Sequence, residues 1–377
     1  MNDLTERLDQ ALPTIRDGAD AADSDAKFPT ASVAALADAG LLGLTLPTEV
    51  GGLGGSPTDL AEAVSKVASA CGSTSMIYLM HVSAAMVTAA APPARDGDRL
   101  LAGMADGSTL GTLAFSETGS RSHFWAPVSR AERSDSDGVR VGADKSWVTS
   151  ASRADVYIAS SLAPDAESPM EPNLYAVERV AEGVSVAGRF DGLGLRGNDS
   201  APVRLDVKLS DEDRLGEEKA GFGLMMSVVL PWFSLGNSAV SLGLAEDALS
   251  RAISHASGAR FEHLDSTLAD LPTIRAYLAK AWTDLAAHQA MLRETAASMA
   301  NPDDSTMLAV LTTKAGCNEV ALRTTETALR VTGGAGFSKQ VGIDRPYRDA
   351  RAGFVMAPTS DALFDFAGRA LCGLDLF

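Results

Sequence analysis

The hydrophobic pattern of this chain of 377 residues changes period twice, and this limits the possible folds more than any single motif does. Up to about residue 109 the apolar positions recur at three-and-four spacing, the period of an amphipathic helix. "AALADAGLLGL" is one such run, and Gly40 and Gly43 end it. Ser56-Pro57 predicts the start of another helix, with Ser56 accepting from a free amide and Pro57 having no N–H to leave unpaired. From 110 to 215 the period becomes two. "GTLAFSE", "VRVGADKSWVT", "VYIASSLA", "NLYAVERV", "VSVAGRF" and "PVRLDVKLS" are short strand-like runs between turn residues. No helical run separates them, so an antiparallel sandwich or barrel is expected. From 216 to 377 the helical period returns in "AEDALSRAISHASGARF", "LPTIRAYLAKAWTDLAAHQAMLRETAASMA" and "TMLAVLTTKAGCNEVALRTTETALRV", which predict a bundle. The fold class is α+β: a helical domain over 1–109, a β-domain over 110–215 and a helical bundle over 216–377.

Composition excludes several function classes. A formal charge of −17 makes nucleic acid and anionic bilayers poor partners. Residues 68–94 and 220–245 carry no charged side chain and are long enough to raise the question of a membrane span. Their Ser, Thr, Gly, Asn, Pro and His residues fit helices packed inside a protein core better than helices facing lipid. The three cysteines, Cys71, Cys317 and Cys372, are few and far apart, with apolar neighbours. They predict small buried side chains, with no disulfide frame and no metal site. The charged opening "MNDLTERLDQ" has no apolar signal segment, so a cytoplasmic protein is expected.

Four segments in order carry a resemblance. They are "GLLGLTLPTEVGGLGGSPTDLAEA", "LAFSETGSRSHF", "ADKSWVTSASRADVYIAS" and "VTGGAGF" with the following "DRPYRDAR". Together with the α–β–α layout they resemble the acyl-CoA dehydrogenase family over nearly the whole chain. The resemblance implies an N-terminal helical domain, a middle β-domain and a C-terminal four-helix bundle, with FAD bound between them and an acyl-CoA or related thioester as substrate. It also implies a homotetramer or homodimer, because the nucleotide end of FAD crosses to a neighbouring subunit.

The resemblance assigns residues as follows. Trp147 packs on the isoalloxazine and the Thr149 hydroxyl reaches its N5/O4 edge; two residues apart, they share one side of a regular strand. Phe115 and Ser116 serve the pyrimidine edge, and Ser122 lies near the pyrophosphate and pantetheine. Arg260, Arg330, Gly333, Gly334, Thr359 and Asp361 fall where the family meets the dinucleotide. Gly333 and Gly334 also fit a helix-terminating turn. Position 357 matches the glutamate that removes the substrate α-proton, and here it is alanine, which keeps only the backbone N–H. Some members carry that glutamate on a bundle helix, where this chain has Phe233. Pro231 and Ser234 stand where the family has an Asp and an Arg that help hold coenzyme A. Trp232, Phe233 and Phe354 predict an aromatic lining. The expected function is oxidation of an acyl thioester by FAD, in an atypical dehydrogenase or oxygenase that uses reduced flavin and O₂. Ordinary dehydrogenation with a substitute base, and a non-catalytic partner subunit of the same fold, stand as alternatives.

Overall fold

A computed structural model describes residues 2–120, 123–134 and 138–374. The helical start comprises α1 (Asn2–Ser24), α2 (Thr30–Asp38), α3 (Pro57–Ala70), α4 (Gly72–Ala90) and α5 (Gly97–Asp106). The stop and start signals act as expected. α2 ends ahead of Gly40, which has φ 71°, a value open to glycine at little cost. At α3, Ser56 accepts from the Asp59 N–H and the Asp59 carboxylate accepts from the Ser56 N–H, a capping box with Pro57 at the first helical position.

The middle region contains β1 (Gly111–Ala114), β2 (Glu132–Arg133), β3 (Val139–Val148), β4 (Val156–Leu162), β5 (Pro172–Glu178), β6 (Val184–Val186), β7 (Ala201–Leu209) and β8 (Arg214–Leu215). They form two four-stranded sheets, β1-β4-β5-β8 and β2-β3-β7-β6. β3 alternates buried and exposed residues along most of its length, and Val139, Val141 and Ala143 meet Tyr157 and Tyr175 of the other sheet. β4 is buried on both faces. Tyr157 and Ala159 point at the second sheet, while Val156 and Ile158 pack with residues of α4 and α5. One sequence expectation needs correction: β1 pairs with β4 in parallel, because the chain leaving β1 runs through β2 and β3 in the other sheet before returning.

The C-terminal part has α6 (Gly221–Leu224), a π-helical segment Met225–Val229, α7 (Leu230–Gly258), a hairpin of β9 (Arg260–Phe261) and β10 (Ser266–Thr267), then α8 (Pro272–Ala300), α9 (Thr306–Phe337), α10 (Asp344–Asp349), α11 (Arg351–Val355) and α12 (Ser360–Leu371). α7 lies against α3, α8 and α9 and is the centre of the bundle. Gly243 allows α3 so close that an added Cβ would lie 2.2 Å from the Ser65 carbonyl oxygen. Among the described residues, one helical run, 221–258, is long and apolar enough to cross a membrane, yet 78% of its apolar window is buried inside the protein. It is a core helix here. Cys71 and Cys317 are buried as expected, whereas Cys372 is exposed just beyond α12, past the last turn that packs on the bundle.

Candidate functional site

A cavity of about 640 Å³ opens where α4, the end of β1, the end of β3, the start of α7 and the segment after α11 meet. That volume suits a flat, drug-sized ligand. Phe115, Ser116, Trp147, Thr149, Phe233 and Ala357 all line it. Sequence reasoning thus placed the expected ring-binding residues and the two expected proton-acceptor positions around one cavity.

The route to that arrangement differs from the simple strand argument. Pairing between β3 and β7 shifts register between Lys145 and Val148, and Trp147 has φ 53°. A tryptophan in left-handed backbone is strained and persists only where its surroundings enforce it. The bulge leaves Trp147 63% exposed at the cavity mouth, stacked on Phe190 with ring centroids 4.0 Å apart. Thr149 lies past the strand end and is buried. Its carbonyl accepts from the Thr112 hydroxyl at 2.9 Å, while its own hydroxyl has only a 3.5 Å contact with Ser200. The hydroxyl is therefore weakly engaged and free to bond a ligand edge. Both residues line the cavity, but not as neighbours on one face of a regular strand, because β3 shifts register between Lys145 and Val148 and ends before Thr149.

The aromatic lining also differs from expectation. Trp232 and Phe354 do not line the cavity, whereas Phe115, Phe124 and Phe190 join Trp147 and Phe233 there. Trp232 is next to the wall residue Phe233 in sequence, but on α7 it packs against the helical core. Phe190 comes from the loop 189–200, a segment the sequence reading treated only as strand and turn. Buried Asp349 on α10 fixes this loop by accepting from the Leu195 N–H at 2.6 Å. Burial pushes the Asp349 carboxyl up to about 6. Gly194 packs on α10 so tightly that a Cβ would lie 2.6 Å from the Arg348 carbonyl oxygen.

Among the described residues two carboxylates reach the lining, Glu117 held through both oxygens and Asp199 through one. Asp199 accepts from the N–H and the hydroxyl of Ser152, each at 2.8 Å. Glu117 accepts from Lys145 at 2.6 Å, from the N–H groups of Val128 and Ser129 and from the Ser129 hydroxyl. Burial alone would raise the Glu117 pKa, but the Lys145 charge and these hydrogen bonds outweigh it and hold the carboxyl below its usual range. A carboxylate so held is a poor proton acceptor. At the position expected for a base, Ala357 offers a methyl group and an N–H, and Phe233 offers a ring.

The remaining assigned residues do not line the cavity. Thr359 caps α12 by accepting from the Ala362 N–H, and Asp361 is exposed in the first turn of that helix. Arg260 pairs with Asp265 within the β9–β10 hairpin. Arg330 lies over the Tyr277 ring. Gly333, with φ 53° and ψ −132°, is non-helical and breaks α9 into two helical pieces, in line with the helix-terminating turn expected there. An added Cβ at Gly333 or Gly334 would meet nothing within 4 Å, so this backbone is open to close approach by another molecule. Ser122 lies outside the described residues. The cavity thus fits a flavin ring, while the groups assigned to the far end of the dinucleotide lie outside it, on α12, in the β9–β10 hairpin and late in α9.

Sequence reasoning missed Lys314, which is wholly buried, and the Lys145–Glu117 pair. Both carried a signal. Val310, Leu311 and Cys317 flank Lys314 on its helical face, and Glu117 and Lys145 stand inside the quoted motifs.

Comparison with known proteins agrees with this architecture. The family profile for the N-terminal domain of acyl-CoA dehydrogenases matches residues 11–108, and that for the C-terminal domain matches residues 219–371. The chain is 26% identical to cyclohex-1-ene-1-carbonyl-CoA dehydrogenase of Geobacter metallireducens, across 98% of this chain and 99% of that protein. The structure of butyryl-CoA dehydrogenase from Megasphaera elsdenii superposes with a TM-score of 0.92 at 21% identity, across 99% of this chain and 98% of the other. A prolyl acyl carrier protein oxidase superposes with a TM-score of 0.89 at 18% identity, covering 98% and 99%.

Proposed function

The chain belongs to the acyl-CoA dehydrogenase family of FAD-dependent oxidoreductases, and from that premise we propose that it oxidises an acyl thioester without a carboxylate base at position 357, in a reaction that uses reduced flavin and O₂. One observation carries the reading. The cavity wall has the methyl of Ala357 and the ring of Phe233 at the two expected base positions, and of its described carboxylates Glu117 has both oxygens hydrogen-bonded while Asp199 is held through Oδ2 by Ser152.

FAD bound here supplies a hydride acceptor and, once reduced, electrons for O₂. Trp147 and Phe115 offer apolar contact to the ring, and the weakly engaged Thr149 hydroxyl can bond its polar edge. The Ala357 N–H can hold a substrate carbonyl, but it cannot take a proton. The α-proton must leave by solvent, or the reaction must follow a course that does not remove it. The fold also serves an oxidase of a prolyl carrier protein, so carrier-bound acyl groups belong among the candidate substrates beside coenzyme A esters. A cytoplasmic homotetramer or homodimer is part of the same reading.

The test mixes holoenzyme with a panel of saturated acyl-CoA esters, first without O₂ and then with ¹⁸O₂ and a flavin reductant. Slow or absent enoyl formation, with ¹⁸O incorporated into product, supports the proposal. Fast flavin bleaching with enoyl-CoA release in the absence of O₂ would instead establish ordinary dehydrogenation with a substitute base. Failure to retain FAD would leave a non-catalytic partner. Ala357→Glu should raise desaturation by roughly 10²–10⁴-fold, the usual contribution of a positioned general base.

A further inference from the structure

Lys314 on α9 is fully buried, and its ammonium has no carboxylate partner among the described residues. Its Nζ donates to the carbonyl oxygens of Met356 at 3.1 Å and Pro358 at 2.6 Å, the two residues that flank Ala357. The Phe233 ring centroid lies 5.8 Å from Nζ. Phe233 and Ala357 both line the cavity, whereas Lys314 does not. The lysine therefore stands behind the wall and acts on it.

The Met356–Ala357 peptide is trans, so its carbonyl and its N–H point in opposite directions. With the Met356 carbonyl directed at Lys314, the Ala357 N–H is turned away from Lys314. Among the described residues no acceptor is paired with that N–H. An N–H without a partner beside a ligand cavity is a donor waiting for a ligand. A cation on the carbonyl end of the same peptide also draws electron density from it and strengthens the N–H as a donor.

We propose that Lys314 is a positioning residue: by holding the carbonyls on either side of Ala357 it turns the Ala357 N–H into the cavity and polarises it as the donor that receives the substrate carbonyl. The inference rests on the thioester reading above only for the identity of that carbonyl. It also accounts for retention of a costly group. A buried lysine without a counter-ion is unfavourable, and burial pulls its pKa down to about 7. Here the charge serves a wall that has lost its carboxylate and keeps only a backbone donor.

Two readouts test this on holoenzyme at pH 6. The first places a reporter at the wall without any substrate. In a Cys372→Ser background, Ala357→Cys is cyanylated and the nitrile stretch is recorded with Lys314 and with Lys314→Met. Methionine nearly matches lysine in volume, and retained FAD with a melting temperature no lower than the parent's, measured on the unlabelled protein, identifies folded variants. The nitrile band should move when Lys314 is replaced. A band indifferent to Lys314→Met overturns the proposal. The second uses acetyl-CoA labelled with ¹³C at the carbonyl, a thioester with no β-carbon to oxidise. Its carbonyl band should fall on binding to the otherwise unaltered holoenzyme. Lys314→Met should abolish most of that shift and weaken binding about tenfold, the factor one hydrogen bond of ordinary strength carries. A full carbonyl shift in Lys314→Met would overturn the proposal too. A nitrile band that responds to Lys314, with no acetyl-CoA shift even in the parent protein, would uphold the role of Lys314 and reject the thioester reading.

Discussion

Lys145→Met should loosen the middle domain and, with it, the cavity wall. Lys145 is buried with its Nζ 2.6 Å from Glu117, and it also donates to the Ser160 carbonyl. Removing one partner of a buried ion pair costs about 3–5 kcal/mol, because the other charge stays buried without its counter-ion. Glu117 keeps three further donors: the N–H groups of Val128 and Ser129 at 2.8 and 2.7 Å and the Ser129 hydroxyl at 2.5 Å. These place the cost near the lower end, about 3 kcal/mol, or roughly 10²-fold in an opening equilibrium. Native-state hydrogen exchange at the amides of β3 and β4 reads that equilibrium directly. The double variant Glu117→Gln with Lys145→Met should recover most of the loss, since no charge is then stranded. The deficit should also shrink as pH falls. Glu117 is held below its usual pKa in the parent protein, so its contribution is present above the unfolded value and lost as pH falls through the folded one. Without Lys145 the carboxyl protonates at higher pH, and protonation relieves the stranded charge. Exchange at β3 unchanged within threefold in Lys145→Met, or a double variant worse than the single one, would refute the argument.

Gly243→Ala should lower the melting temperature at a cost of about 1–3 kcal/mol, because its Cβ would meet the Ser65 backbone at 2.2 Å and α3 cannot withdraw without opening the core. The stability advantage of Lys314→Met over the parent, measured by guanidinium midpoints, should fall between about pH 7 and pH 10. In that window the folded parent has already lost the proton that its unfolded chain still binds, so the parent gains stability as pH rises and the variant does not. Dilution should release FAD together with subunit dissociation, followed by flavin fluorescence and sedimentation. Arg260, Arg330, Gly333 and Gly334 lie away from the cavity, and Trp282, Phe337 and Leu371 expose apolar surface on the bundle helices. FAD retained by a monomer would exclude a shared site.

The layers of the fold were readable because each period has one physical cause. Residues of α3 and α4 bury one side or all sides against neighbouring helices, and β3 buries alternate residues between two sheets. The direction of β1 was not readable. A parallel pair depends on where the intervening chain travels, and β2 and β3 supply that detour only in three dimensions. The site was legible as residue types but not as geometry. Trp147 and Thr149 obey no alternation, because a bulge sits between them and β7. Phe190 reaches the cavity only because Asp349, far along the chain, holds its loop.

Lys314 shows why an absent residue needs its surroundings before it means anything. Alanine at 357 by itself is compatible with a dead site, with a base supplied from elsewhere, or with chemistry that needs none. The surroundings separate these readings. A dead site has no reason to keep an uncompensated ammonium buried behind the wall, where it costs stability, or to leave the Ala357 N–H without a partner. A substitute base would need a carboxylate or imidazole with an open lone pair at the cavity; among the described lining residues Glu117 has both oxygens engaged by Lys145, Val128 and Ser129, and Asp199 is held through Oδ2 by Ser152. What the wall offers is the Ala357 N–H, which we propose Lys314 polarises, the weakly engaged Thr149 hydroxyl and an aromatic face. That combination can grip a carbonyl and shelter a flat ring, and it is the ground on which we propose chemistry that needs no side-chain base at 357.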